Sequence, residues 1–184
     1  MFKELIERIG IVLNGEKISY MIIGGQAVLY YGEPRFTKDI DIALGVDTDS
    51  LKRILALVAN LNFSVLVDNV EDFVKRTMVL PTMDVQSGIR VDFVFSHSHY
   101  EQQALERARN VQFDKTCVKF ASLEDVIIHK IIAGRPRDIE DVSSILLKNQ
   151  ESDYKYIARW LRKFDDSLDG GFVSIFKKLV DESK

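Results

Sequence analysis

Cysteine is almost missing from this chain, with Cys117 as the single example in 184 residues. One thiol excludes an intramolecular disulfide and any metal cluster built from thiolates alone, and it favours a reducing, cytoplasmic setting. Long apolar runs are missing too. No window approaches the roughly 18 apolar residues of a membrane span, and Lys3, Glu4, Glu7 and Arg8 interrupt the N-terminus in a way a secretory signal does not tolerate. Nor is there an excess of positive charge: a net charge of −3 gives no overall attraction to nucleic acid. An RNA or DNA partner would need a local patch, of which His129 to Arg137 and Arg159 to Lys163 around Trp160 are the richest; an ordinary solvated helix face is the plainer reading of the second. Repeats and low-complexity tracts are absent. What remains is ordinary globular composition, 46% apolar and 29% charged, in a chain of one-domain length.

Phe2, Leu5, Ile6, Ile9 and Leu13 recur at helical spacing and predict an amphipathic helix ending near Asn14-Gly15. Tyr20 to Ile23 reads as a short buried strand, broken by Gly24-Gly25 ahead of a helical run from Gln26 to Tyr31. Acidic and aliphatic residues alternate from Lys38 to Leu44 with the period of a half-buried strand. N-capping residues at Asp47 to Ser50 open a helix that runs to about Asn60. Further strands are expected at Ser64 to Val67, Thr77 to Leu80 and Ile89 to Phe95, with a short helix from Glu101 to Arg107. From Ser122 onward the pattern is helical throughout, with a capping signal at Ser122-Leu123-Glu124-Asp125, a proline start at Pro136, and further helices after Ser152 and Gly171. The expectation is a mixed α and β part to about Phe120, and a helical C-terminal part packed on it in one compact unit.

Residues two apart on a strand project from the same face, with α-carbons about 6.6 Å apart, so Asp39 and Asp41 point together while Ile40 and Ile42 enter the core. Two such charges repel. A divalent cation with hard oxygen ligands would offset them; a solvated strand face kept soluble by its acids is the plainer alternative. A third acid, Asp92, stands among the strand formers of Arg90 to Phe95, where an unpaired carboxylate is costly. Three carboxylates on neighbouring strands would hold two magnesium ions about 4 Å apart and stabilise both oxygens of an in-line phosphoryl displacement. Gly24-Gly25 between strand and helix offers backbone N–H groups at the positive end of a helix dipole, where phosphate is stabilised, or serves only as a tight turn. It has neither the lysine of a P-loop nor the spacing of a dinucleotide fingerprint. Asp84 falls among turn residues and reads as structural.

Taken together, strand-Gly24-Gly25-helix, then Asp39-Ile40-Asp41, then a later strand with Asp92, resembles the DNA polymerase β-like nucleotidyltransferase superfamily. Gly24-Gly25-Gln26-Ala27, Pro34 to Asp41 and the run Lys130 to Asp141 are similar to its minimal bacterial and archaeal branch, which includes AbiEii toxin-like proteins. The likeness covers roughly Ile18 to Leu147. It implies an α+β fold, a nucleotidyltransferase-like mixed sheet flanked by helices, with residues 1–120 as the core and 121–184 as the helical C-terminal part. It implies an enzyme that moves a nucleoside monophosphate from a nucleoside triphosphate such as ATP to an acceptor hydroxyl, releasing pyrophosphate. Asp39, Asp41 and Asp92 would be the Mg2+ ligands and catalytic residues, and Gly24 and Gly25 would cradle the triphosphate. The superfamily often has Gly-Ser where this chain has Gly24-Gly25, so one hydroxyl contact to phosphate is missing.

Arg35 either reaches phosphate or braces its loop against Asp39, and Thr37 binds nucleotide or orders the same loop. Lys130 stands among Val126, Ile127, Ile128, Ile131 and Ile132, where a lysine must snorkel to solvent or meet an anion, and a triphosphate would suit it. Arg137 and Asp141 are one turn apart and can pair. His97 and His99 lack a further ligand nearby and read as surface residues. The acceptor stays open between tRNA, a protein and a small molecule such as an aminoglycoside, and the helical part offers a face for an oligomer. Two other readings use the same residues: a nucleotide-binding or toxin–antitoxin-type regulatory module without turnover, and a metal-dependent phosphohydrolase.

Overall fold

The computed structural model describes residues 1–34 and 36–183 and has an α+β fold. Along the chain run α1 (Phe2–Gly15), β1 (Tyr20–Ile23), α2 (Gly24–Tyr31), β2 (Asp39–Leu44), a 3-10 turn (Thr48–Ser50) and α3 (Leu51–Asn60). Then come β3 (Phe63–Val65), α4 (Val70–Thr77), β4 (Val79–Asp84), β5 (Arg90–Phe95), α5 (His99–Glu106), β6 (Arg109–Gln112) and β7 (Cys117–Phe120). Four helices follow: α6 (Leu123–Ala133), α7 (Pro136–Lys148), α8 (Tyr154–Leu168) and α9 (Phe172–Glu182). The chain divides into two compact units, one of residues 1–26 and 37–121, the other of residues 27–36 and 122–184.

The first unit is built on a mixed sheet in which the strands are ordered β3-β4-β5-β2-β1-β7-β6. At its centre β2 runs parallel to β5 and antiparallel to β1. Ile40, Ile42, Val91 and Phe93 are fully buried, which fixes the register, because a slip by one residue would send the intervening acids into the core instead. The Arg8 guanidinium of α1 lies 5.6 Å from the centre of the Phe63 ring, and Phe63 is 6.5 Å from Phe93. Helix α1 therefore covers the face carrying Phe93 and Ile42, and the acids of β2 and β5 project from the opposite one.

Two elements of this unit differ from the sequence expectation. Residues 70–77 form α4, with Glu71 and Asp72 in its first turn and Lys75 and Arg76 in its last, the order the helix dipole favours. Thr77 thus ends a helix, and the strand expected from it begins at Val79, after Met78 has turned through a left-handed conformation (φ 60°). The pair β6 and β7 was not anticipated because Arg109, Asn110 and Gln112 of the outer strand are exposed and leave no apolar alternation to read.

The second unit packs Ile127, Ile128, Ile131, Val142, Ile145, Leu146, Ile157 and Leu161 into its own core. Ser122 caps α6 by accepting from the Asp125 amide. Gly134 then closes that helix at φ 63°, and Pro136 opens α7. Two of the basic side chains of α8 lie on aromatic rings of the same helix, Arg159 5.4 Å from the Tyr156 ring centre and Lys163 4.2 Å from that of Trp160. Among the described residues no helix is long and apolar enough to cross a membrane.

Candidate functional site

Strand register sets out two adjacent rows of side chains on the face of the sheet opposite α1. Across β4, β5, β2 and β1 the first row reads Pro81, Asp92, Asp41, Ile23. One step along the strands, the second reads Met83, Arg90, Asp39. Paired residues of neighbouring strands project to the same side, about 4.8 Å apart, so Asp41 and Asp92 stand side by side, with Asp39 diagonal to Asp92. The three acids are half-buried.

Arg90 brings a positive charge to this cluster. Its Nε donates to both carboxylate oxygens of Asp92, at 2.8 and 3.1 Å, while its side chain keeps 53% of its surface exposed. The hydrogen bond to Asp92, and after it the negative charges of Asp92, Asp39 and Asp41, raise the Arg90 pKa above its ordinary value despite burial acting against it. Asp39 is held separately. The Thr37 hydroxyl donates to Asp39 Oδ1 at 3.1 Å, and Gln26 Nε2 reaches the Asp39 carbonyl at 3.4 Å.

Gly24 closes the site from β1. It begins α2 at φ 62°, a conformation L side chains rarely adopt. Its α-carbon is pressed against Asp41, and a β-carbon there would lie 1.9 Å from Asp41 Oδ2 and 2.8 Å from Cγ. Gly25 follows in the first turn of α2, at the positive end of that helix dipole. Two constraints, backbone angle and space, thus demand glycine at position 24, so the Gly24 turn and the Asp41 carboxylate are packed together.

The donor set suits a divalent cation, since carboxylate oxygens are hard ligands, and the absent β-carbon of Gly24 is what lets the Asp41 carboxylate lie against the turn. Among the described residues, however, no three acidic, histidine or cysteine side chains are gathered tightly enough to enclose an ion. Asp92 is instead engaged by Arg90.

A family model described as "Nucleotidyltransferase of unknown function (DUF6036)" matches residues 1–164. The chain belongs to this family. Solved structures agree with its nucleotidyltransferase fold. The antibiotic-resistance factor ANT(2'')-Ia is 14% identical with a TM-score of 0.61, over 91% of this chain and 94% of its own. An antigenic nucleotidyltransferase-like protein from Paracoccidioides brasiliensis is 18% identical with a TM-score of 0.57, over 92% and 91%. The lincosamide antibiotic adenylyltransferase LnuA, solved with lincomycin bound, is 14% identical with a TM-score of 0.52, over 77% and 96%. Among curated proteins, none matches the sequence.

The site of this family member thus brings together Asp39, Asp41, Asp92, Gly24 and Thr37, with Gly25 next in the chain. Arg35 lies outside the described residues. Lys130 belongs to the second unit, where its Nζ is 2.6 Å from Asp138 Oδ1 and 3.0 Å from Asp141 Oδ2. The anion its apolar surroundings called for is supplied there by two buried carboxylates. Burial would raise the Asp138 pKa, but the hydrogen bond and charge of Lys130, with Arg135 behind them, outweigh it and lower it. Arg137 donates to the Phe36 carbonyl at 2.9 Å. His97 and His99 are exposed, and Asp84 ends β4 as a turn residue that accepts from Arg8 and Ser87. Sequence reasoning passed over Arg90, although its spacing of two from Asp92 on a strand was the signal that places both on one face.

Proposed function

We propose that this chain transfers a nucleoside monophosphate from a nucleoside triphosphate, ATP among the candidates, to an acceptor hydroxyl. The acceptor oxygen bonds to the α-phosphorus, the bridging bond to the β-phosphate breaks, and pyrophosphate leaves with its electron pair. Asp92 accepts the proton of the attacking hydroxyl. Asp39 and Asp41, with Asp92, would hold a pair of Mg2+ ions, which would neutralise charge on the triphosphate and on the leaving oxygen. Gly24 and Gly25 receive the phosphates on the amides at the start of α2. Thr37 fixes Asp39 for its role.

The observation that carries this reading is the register pairing of Asp41 with Asp92 beside a glycine that Asp41 itself excludes from having a side chain. Incubation with each labelled triphosphate, Mg2+ and separate pools of tRNA, protein and small hydroxylated acceptors should transfer label. Asp39→Asn and Asp41→Asn should each abolish it; transfer that survives both substitutions overturns the proposal. The acceptor pools also test finer branches of the reading. Labelled tRNA or protein would assign a macromolecular acceptor, whereas a labelled aminoglycoside or lincosamide would support chemistry like that of ANT(2'')-Ia, solved with adenylyl-2''-tobramycin, and of LnuA.

One observation favours a second reading, a regulatory module that binds nucleotide without turnover: the Asp92 carboxylate is occupied by Arg90. Calorimetry separates the two. Nucleotide binding indifferent to Mg2+ and to Asp92→Asn belongs to the module; binding that requires both belongs to the enzyme.

A further inference from the structure

We propose that Arg90 is a positioning residue that competes with the divalent cation for Asp92, so that the third carboxylate joins the ion only when the guanidinium turns away. This rests on the nucleotidyl-transfer reading and adds a control element to the same site.

Three features of Arg90 carry the inference. It is bonded through Nε alone, one hydrogen shared between the two oxygens of Asp92, rather than through the two-pronged contact that makes arginine–carboxylate pairs strong. Its side chain is 53% exposed against 15% for Asp92, so it can swing into water without opening a cavity, provided that the cation takes its place beside the less exposed carboxylate. Register also sets it beside Asp39, so one guanidinium serves as the counter-charge of a diagonal of carboxylates. A cation entering between Asp39, Asp41 and Asp92 takes over that counter-charge, and like-charge repulsion then favours the departure of Arg90. The resulting protein binds the metal weakly until nucleotide brings further anionic ligands to the site.

The test is Mn2+ binding to the full chain without nucleotide, read from the loss of the free-ion electron paramagnetic resonance signal. Arg90→Gln should tighten binding about five- to tenfold, the size of a partly exposed ion pair together with the relieved charge. Arg90→Lys keeps the charge and should bind as the unsubstituted chain does. In an Asp92→Asn background Arg90→Gln should give no gain, which a merely structural role for Arg90 would not predict. Equal or weaker binding by Arg90→Gln, with Asp41→Asn still abolishing it, overturns the competition and leaves the nucleotidyl-transfer reading intact. Mn2+ binding by none of these proteins, Arg90→Gln included, overturns the competition, and binding indifferent to Asp41→Asn overturns both.

Discussion

Gly24→Ala is the most informative single substitution because its cost has two separable parts. The backbone there has φ 62°, and holding alanine in the left-handed region costs about 1–2 kcal/mol. The new methyl would also lie 1.9 Å from Asp41 Oδ2, so the carboxylate must leave its rotamer at about 1 kcal/mol more. Urea unfolding in chelator should therefore show a loss of about 2–3 kcal/mol. Repeating the substitution in an Asp41→Ala background removes the overlapping Cγ and Oδ2 and leaves only Asp41 Cβ, at 3.1 Å, as a tight contact. The loss should then shrink towards the backbone part, giving a coupling of about 1 kcal/mol. Equal losses in the two backgrounds would refute the claim that Gly24 and Asp41 are in steric contact.

Other consequences can be measured independently. Lys130→Met leaves Asp138 and Asp141 as buried like charges and should destabilise the protein by about 3 kcal/mol, partly recovered by adding Asp138→Asn; an unchanged urea midpoint would deny that Lys130 holds the pair. Thr37→Val removes the hydroxyl bonded to Asp39 and should cost about 1 kcal/mol or less in stability while weakening Mn2+ binding several-fold, and equal metal affinity would show that Asp39 needs no such tether. Burial would raise the Asp84 carboxyl, but hydrogen bonds from Ser87 and Arg8 outweigh it and hold it below the usual range. Because its folded pKa is depressed, its contribution is complete above the unfolded value of about 3.9 and is lost as pH falls through the folded one. Asp84→Asn should accordingly lower stability at neutral pH by about 1–3 kcal/mol and flatten the acid limb of a stability–pH curve; an unaltered limb would assign that limb to other groups.

Much of the site is legible in the sequence because strand alternation is a strict rule. Once Ile40 and Ile42 are read as core, Asp39 and Asp41 have one face left, and the strand formers around Asp92 place it the same way. Helix starts are legible for a similar reason, since Ser122 and Pro136 act within a few residues of themselves. Pairing between strands is another matter. Nothing local in Asp41 or Asp92 announces that they are register partners, and the contact between Gly24 and Asp41 depends on that same assembly. Lys130 shows the limit from the other side: its apolar surroundings announced the need for an anion, but its partners Asp138 and Asp141 lie on the next helix, across a corner that spacing alone does not resolve.

The parallel pairing of β2 with β5 joins residues about fifty positions apart in the chain. Contacts of such separation form slowly, because the intervening loop must be closed before the pairing rewards it. During synthesis, a ribosome-bound chain that has released β1 and β2 but not yet β5 holds two of the acids and lacks the third. The three-acid arrangement therefore exists only once β5 has docked on β2, and a chain terminated before Arg90 carries two of the acids without the third.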